Sequence, residues 1–129
     1  MIEIDNAYTH RILGCAYDVH TELGPGLLES VYEKALIYAL KEQGFYVHNQ
    51  VNVPIKYHDT IIDNQLRLDI FIDNKIIIEI KSVQEVLPVH SKQLYTYLRL
   101  TNCPIGYLIN FNTVSLKEGI TRIINPYAI

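Results

Sequence analysis

The chain has no tryptophan, one methionine and only two cysteines among its 129 residues. Cys15 and Cys103 are too few and too far apart for a disulfide framework, a zinc site or an iron–sulfur cluster. So sparse a cysteine usage suits the cytosol. No apolar run approaches the roughly 20 residues of a membrane-spanning helix. The N-terminus carries Glu3 and Asp5 and no apolar segment, so no signal peptide is expected. A positive excess is missing too. The formal charge of −3 argues against a protein that coats nucleic acid nonspecifically, but not against an enzyme that grips a few phosphates with a local patch. Repeats, low-complexity tracts and linkers are also absent, so residues 1–129 are expected to fold as one domain with roughly two-thirds of its unfolded surface buried.

What is present is concentrated between Leu66 and Lys81. Two β-rich runs flank Asp73-Asn74, a turn-forming pair, and the segment reads as a hairpin. A two-residue loop would pair Asp69 with Ile78 and put Glu79 on the face of Leu68 and Ile70. A three-residue loop, Asp73 to Lys75, pairs Ile72 with Ile76, Ile70 with Ile78 and Leu68 with Ile80, making one face wholly aliphatic. That second register is the one a buried sheet demands. It sets Asp69 opposite Glu79 and Arg67 opposite Lys81, with Phe71 and Ile77 nearer the turn.

Two carboxylates then face each other with Cβ atoms about 5 Å apart. At an effective dielectric near 20 their repulsion is on the order of 3 kcal/mol. Such a pair is either a charged sheet end tied up by Arg67 and Lys81 or a site for a hard divalent cation.

Elsewhere the spacing of Tyr8, Ile12, Cys15, Ala16, Val19 and Leu23 predicts a helix from about Asp5, capped by Asp5 or Asn6. Gly24-Pro25-Gly26 breaks it. A second helix is expected over 27–43, burying Leu28, Val31, Tyr32, Ala35, Leu36, Ala39 and Leu40. Residues 47–57 read as a strand with Pro54 at an edge or bulge, and the second strand is expected to bulge around Asp63-Asn64. A third helix over 89–100 turns Leu94, Leu98 and Tyr97 inward. The apolar run 105–111 is a strand buried on both faces, and 115–125 forms a last edge strand. Helices before and after a three-stranded meander can cover opposite faces of the sheet, giving an α/β sandwich.

Glu79-Ile80-Lys81 puts the glutamate and lysine on one strand face. With Asp69 on the neighbouring strand, the sequence resembles the PD-(D/E)XK nuclease superfamily. More closely it is similar to the GxxExxY family within it, on Gly26, Glu29 and Tyr32, on Pro88 to Leu98 and on Leu108 to Phe111, with Leu68 in place of the family's proline. The resemblance implies a restriction-endonuclease-like α-β-β-β-α-β core, a mixed sheet flanked by helices, with an extra N-terminal helix. It implies a nuclease acting on DNA, with RNA as the alternative, and compatible with a homodimer. The competing reading is a non-catalytic binding or assembly module that keeps the fold.

The resemblance also implies roles. Asp69, Glu79 and the Ile80 carbonyl would hold Mg²⁺ or Mn²⁺, and Lys81 would orient the attacking water. Glu29 either reaches the metal or is a favourable charge at a helix N-terminus. Gln93 and Tyr97, four apart on one helix face, either contact the lysine and substrate or are a surface amide and a core aromatic. Arg67 and Lys92 are candidate substrate contacts, Arg67 otherwise a charge balance. His20 and His90 are candidates for a metal or acid–base role, against the commoner structural role of a lone helical histidine.

Overall fold

The computed structural model describes residues 3–129. Helices α1 (Asn6–Leu23) and α2 (Glu29–Glu42) precede strands β1 (Val47–Tyr57), β2 (Thr60–Ile72) and β3 (Ile76–Lys81). Helix α3 (Pro88–Thr101) leads to β4 (Ile105–Asn110), the one-turn α4 (Leu116–Gly119) and β5 (Ile120–Ile124). The five strands form one sheet in sequence order. All neighbours run antiparallel except β3 and β4, which are parallel because α3 crosses over between them. The sheet is therefore mixed, with helices on both faces, as the order of apolar segments implied.

Asp5 caps α1 by accepting from the Ala7 amide at 2.9 Å. Ile12, Cys15, Ala16 and Val19 of α1, with Tyr32, Leu36 and Leu40 of α2, cover Ile70, Ile72, Ile76, Ile78 and Ile80. On the other face Leu94, Tyr97 and Leu98 of α3 cover Ile77, Leu108, Leu68 and Val53. The apolar face of α2 is narrower than its spacing suggested. Leu28 is 74% exposed, because it precedes the first helical residue, and Val31 is exposed as well. Leu23, expected inward, is likewise exposed at the end of α1.

Pro54 lies on an edge strand and at a register shift, where β2 carries extra residues between Ile61 and Leu66. Every residue of β4 is buried. Just past it, Gly119 sits so close to the chain that an added Cβ would lie 2.2 Å from the Asn110 carbonyl oxygen. Gly119→Ala should therefore destabilise the protein by about 2–3 kcal/mol, read as a fall in melting temperature of roughly 10 °C. A fall below about 3 °C would mean that α4 moves aside freely.

The β2–β3 hairpin takes the three-residue loop. Ile72 pairs with Ile76, Phe71 with Ile77 and Ile70 with Ile78. Asp73 and Asn74 both adopt left-handed backbone, with φ of 51° and 54°, which these side chains tolerate better than most. The Asp73 carboxylate accepts from the Tyr8 hydroxyl at 2.6 Å and from the Tyr46 amide at 2.9 Å, which locks the turn to α1 and β1.

The ladder then ends at Ile70 and Ile78. The expected pairs Leu68–Ile80, Asp69–Glu79 and Arg67–Lys81 do not form as ladder pairs, and the single aliphatic face is broken. Ile70 belongs to the cluster beneath α1 and α2, whereas Leu68 belongs to the one beneath α3. β1 switches at the same level: Val47 faces α1 and α2, Val51 and Val53 face α3. The residue between them, Gln50, has φ of 51°. A left-handed residue inverts the alternation of a strand. Because both strands switch together, Asn49 still pairs with Ile70 and Val51 with Leu68.

Candidate active site

Where the β2–β3 ladder stops, side chains replace backbone bonds. The Asp69 amide donates to Glu79 Oε2 at 2.9 Å, and the Ile80 amide donates to Asp69 Oδ2 at 2.9 Å. The two acidic residues thus converge across the gap by reciprocal bonds rather than by ladder pairing. N–H and C=O of one strand residue leave on the same side, so the Ile80 carbonyl faces this gap too.

The electrostatics bear on the two readings of the pair. Burial pushes the Glu79 carboxyl up to about 8, and the charge of Asp69 adds to the rise. The Asp69 amide and Lys81 oppose it, Lys81 least of all. A glutamate held in a structural ion pair would be shifted down. Glu79 is instead a carboxyl held near another carboxyl with too little positive charge to compensate, the condition that a bound cation would relieve.

Lys81 is half-buried at the end of β3, on the Glu79 side of the strand. Its partner on β4 is Asn110. The buried Asn110 side chain donates to the Val83 carbonyl at 2.9 Å and accepts from the Val83 amide at 3.1 Å, fixing the chain just beyond the lysine.

Helix α2 forms the facing wall. Glu29, Ser30 and Glu33 line a pocket of about 170 Å³ together with Gln50, Asp69 and Ile80. Glu29 is the first residue of α2 and lines this pocket together with Asp69. The approach to it is set by Tyr32. The Tyr32 hydroxyl donates to the Gly24 carbonyl at 2.5 Å and accepts from the Leu27 amide at 3.1 Å, while its ring stacks on Phe111 at 4.6 Å. Ser82 Oγ donates to the Leu27 carbonyl at 2.6 Å, tying the turn to the end of β3. The spacing from Gly26 through Glu29 to Tyr32 therefore has a physical reason: Tyr32 clamps the turn that presents Glu29.

Tyr97 of α3 is buried on the other side of the pair. Burial and then the charges of Glu79 and Asp69 raise its phenol, and the Gln93 amide beside it works against them. Tyr97 thus stands within electrostatic reach of the carboxylates, with Gln93 beside it. Lys92 is exposed one position before Gln93. Arg67 does not pair with Lys81 in the ladder. It is exposed and pairs with Asn52 on β1, beyond the end of the β2–β3 ladder. The charges acting on Glu79 are those of Asp69 and Lys81.

Both histidines are structural in their contacts. His20 Nε2 lies 2.7 Å from the Thr113 carbonyl, and His90 Nδ1 accepts from the Leu87 amide at the start of α3. Sequence reasoning missed Ser30, Glu33 and Gln50. Glu33 follows Glu29 by one helical turn, a spacing that would have put it on the same wall.

Among the described residues, no three aspartate, glutamate, histidine or cysteine side chains come close enough to cage a metal. The donors that converge are all oxygens and few, which fits Mg²⁺ or Mn²⁺ retaining several waters better than a closed site. Among the described residues, no helix is long and apolar enough to cross a membrane.

The PD-(D/E)XK nuclease superfamily model matches residues 6–123. No curated protein and no solved structure matches the chain. The match runs from the start of α1 into β5, including the strands that carry Asp69, Glu79 and Lys81, and the chain belongs to the PD-(D/E)XK nuclease superfamily.

Proposed function

We propose that this protein is a metal-dependent nuclease of the GxxExxY type that hydrolyses phosphodiester bonds of DNA. The observation that carries the reading is the convergence of Asp69 and Glu79 with Glu79 raised to about 8 despite Lys81. Asp69, Glu79 and the Ile80 carbonyl, with Glu29 across the pocket, would hold Mg²⁺ or Mn²⁺. When bound, the metal polarises a phosphodiester oxygen and acidifies a water.

The chain's own residues do the rest. Glu79 would serve as a metal-holding oxygen donor in its ionised form. Lys81 orients the attacking water and stabilises the negative charge that builds on the phosphoryl oxygens as one P–O bond forms and the other breaks. Gln93 holds the lysine or substrate from α3, and Tyr97 lines the same side. Arg67 and Lys92 contact the substrate backbone as local positive charges on an acidic protein. In this reading the whole chain is one cytosolic nuclease domain, and a homodimer would bring two such sites to two strands.

Metal binding to the native state alone should raise stability. At a hundred times the dissociation constant, Mn²⁺ should raise the melting temperature by roughly 5–10 °C. Incubation with single- and double-stranded DNA and RNA, in Mg²⁺ or Mn²⁺ and in chelator, tests the reading. Cleavage that chelator and Lys81→Ala abolish supports it. No cleavage of any substrate and no metal-dependent melting shift would leave a binding or assembly module.

A further inference from the structure

We propose that Gln50 is a positioning residue for Asp69, held in left-handed backbone so that its amide can tie the metal-binding carboxylate to helix α2. The inference rests on the nuclease reading and adds a residue that the superfamily match does not single out.

Three observations converge on Gln50. It lies in the middle of β1, yet has φ of 51°. That conformation is costly for a side chain with a Cβ and is seldom glutamine's. His58, Asp59, Asp73, Asn74 and Asn102 also have positive φ, but they occupy hairpin turns and a helix C-cap, where it is expected. Gln50 occupies neither.

The second observation is what the conformation achieves. Gln50 Nε2 donates to Glu33 Oε1 at 2.7 Å and lies 3.4 Å from Asp69 Oδ1. Carboxylates only accept, so the amide nitrogen is the end that must face both. Asp69 is then held at each oxygen, Oδ2 by the Ile80 amide and Oδ1 by Gln50. Glu33 fixes the amide by the shorter bond.

The third observation is where the strain falls. β1 and β2 exchange faces at Gln50 and Asp69, the level at which the β2–β3 ladder opens and the site begins. Strain kept at a site and released nowhere else is the pattern of a functional constraint rather than of a stable strand.

Gln50→Gly separates the two roles, because glycine accepts this φ without strain and carries no amide. In chelator the variant should melt at the parent's temperature or a few degrees above it. Its Mn²⁺ dissociation constant, by calorimetry, should rise about tenfold, the loss expected for one charge-assisted hydrogen bond. At saturating Mn²⁺ kcat should fall ten- to a hundredfold with KM for nucleic acid unchanged. Gln50→Asn tolerates the backbone but is one methylene too short to span both carboxylates, so it should resemble Gln50→Gly. Glu33→Ala combined with Gln50→Gly should cost little more than Gln50→Gly alone, since both break one linkage.

A Gln50→Gly variant that melts several degrees lower, with metal affinity and kcat unchanged, would make Gln50 a strand residue and overturn the proposal while the nuclease stands. A parent that binds metal without cutting any tested substrate leaves calorimetry to decide, by the same tenfold criterion. A parent that binds no metal overturns both readings.

Discussion

Lys81→Ala should lower cleavage by about 10²–10³-fold at saturating Mn²⁺, the usual loss when one preorganised donor to a developing negative charge is removed. The expectation comes from how firmly the lysine is placed. β3 alternates regularly, with Ile76, Ile78 and Ile80 against α1 and α2 and Ile77 against α3. Lys81 must therefore share its side with Glu79. Its backbone is held by Asn110 on β4 and by the Val83 clamp immediately beyond. The ammonium contributes the smallest of the influences on Glu79, so its removal should leave the carboxylates converged and Mn²⁺ affinity within a few-fold of the parent. Stability should change by less than about 1 kcal/mol, as for substitutions without a buried partner. Single-turnover rates and calorimetry on the same preparations check this. A loss below fivefold would make Lys81 a bystander, and a loss of metal affinity as large as the loss of rate would make it a support for the carboxylates.

The sequence carried the hairpin register because Ile70, Ile72, Ile76 and Ile78 satisfy only one of the two loops, and burial punishes the other. The face switch was illegible. Leu68 is apolar on either face, so its move to the α3 side leaves no trace in the hydrophobic pattern. Gln50 gives no warning either, since glutamine marks neither turns nor left-handed backbone. Asp69 and Glu79 were readable as a converging pair, but for a reason that the register alone got wrong: they meet through side chain-to-backbone bonds across a gap, not as ladder neighbours. Arg67 follows the lost ladder, so its expected pairing with Lys81 does not form. The α2 wall was half visible. Glu29 came from a motif, whereas Glu33 required the helix to be placed against β1 before its bond to Gln50 could exist.

Glu79→Gln should be nearly neutral to stability at pH 5, clearly stabilising at pH 9 in chelator, and inactive at both. The sign follows from the raised carboxyl. Glu79 titrates near 8 in the folded protein against 4.5 in the reference state. Between those values the native state holds a proton that the unfolded chain has released, so native stability falls as pH rises. The slope approaches about 1.4 kcal/mol per pH unit in the middle of the window. Below 4.5 the contribution is complete, and above about 8 it is gone. Glutamine imitates the protonated acid throughout: its oxygen can accept from the Asp69 amide and its NH₂ can donate to the Asp69 carboxylate. The variant should therefore lack this slope and at pH 9 melt several degrees above the parent. If Glu79 holds the metal, Mn²⁺ should reverse the order, stabilising the parent but not the variant. A structural ion pair between Glu79 and Lys81 predicts the opposite sign. The parent would then gain stability as pH rises through the carboxylate range, and the variant would melt lower by several degrees, with a half-buried ammonium left unpaired. Melts of both proteins in chelator from pH 5 to 9 discriminate: a difference that favours the parent at pH 9 refutes the raised carboxyl and, with it, the metal site.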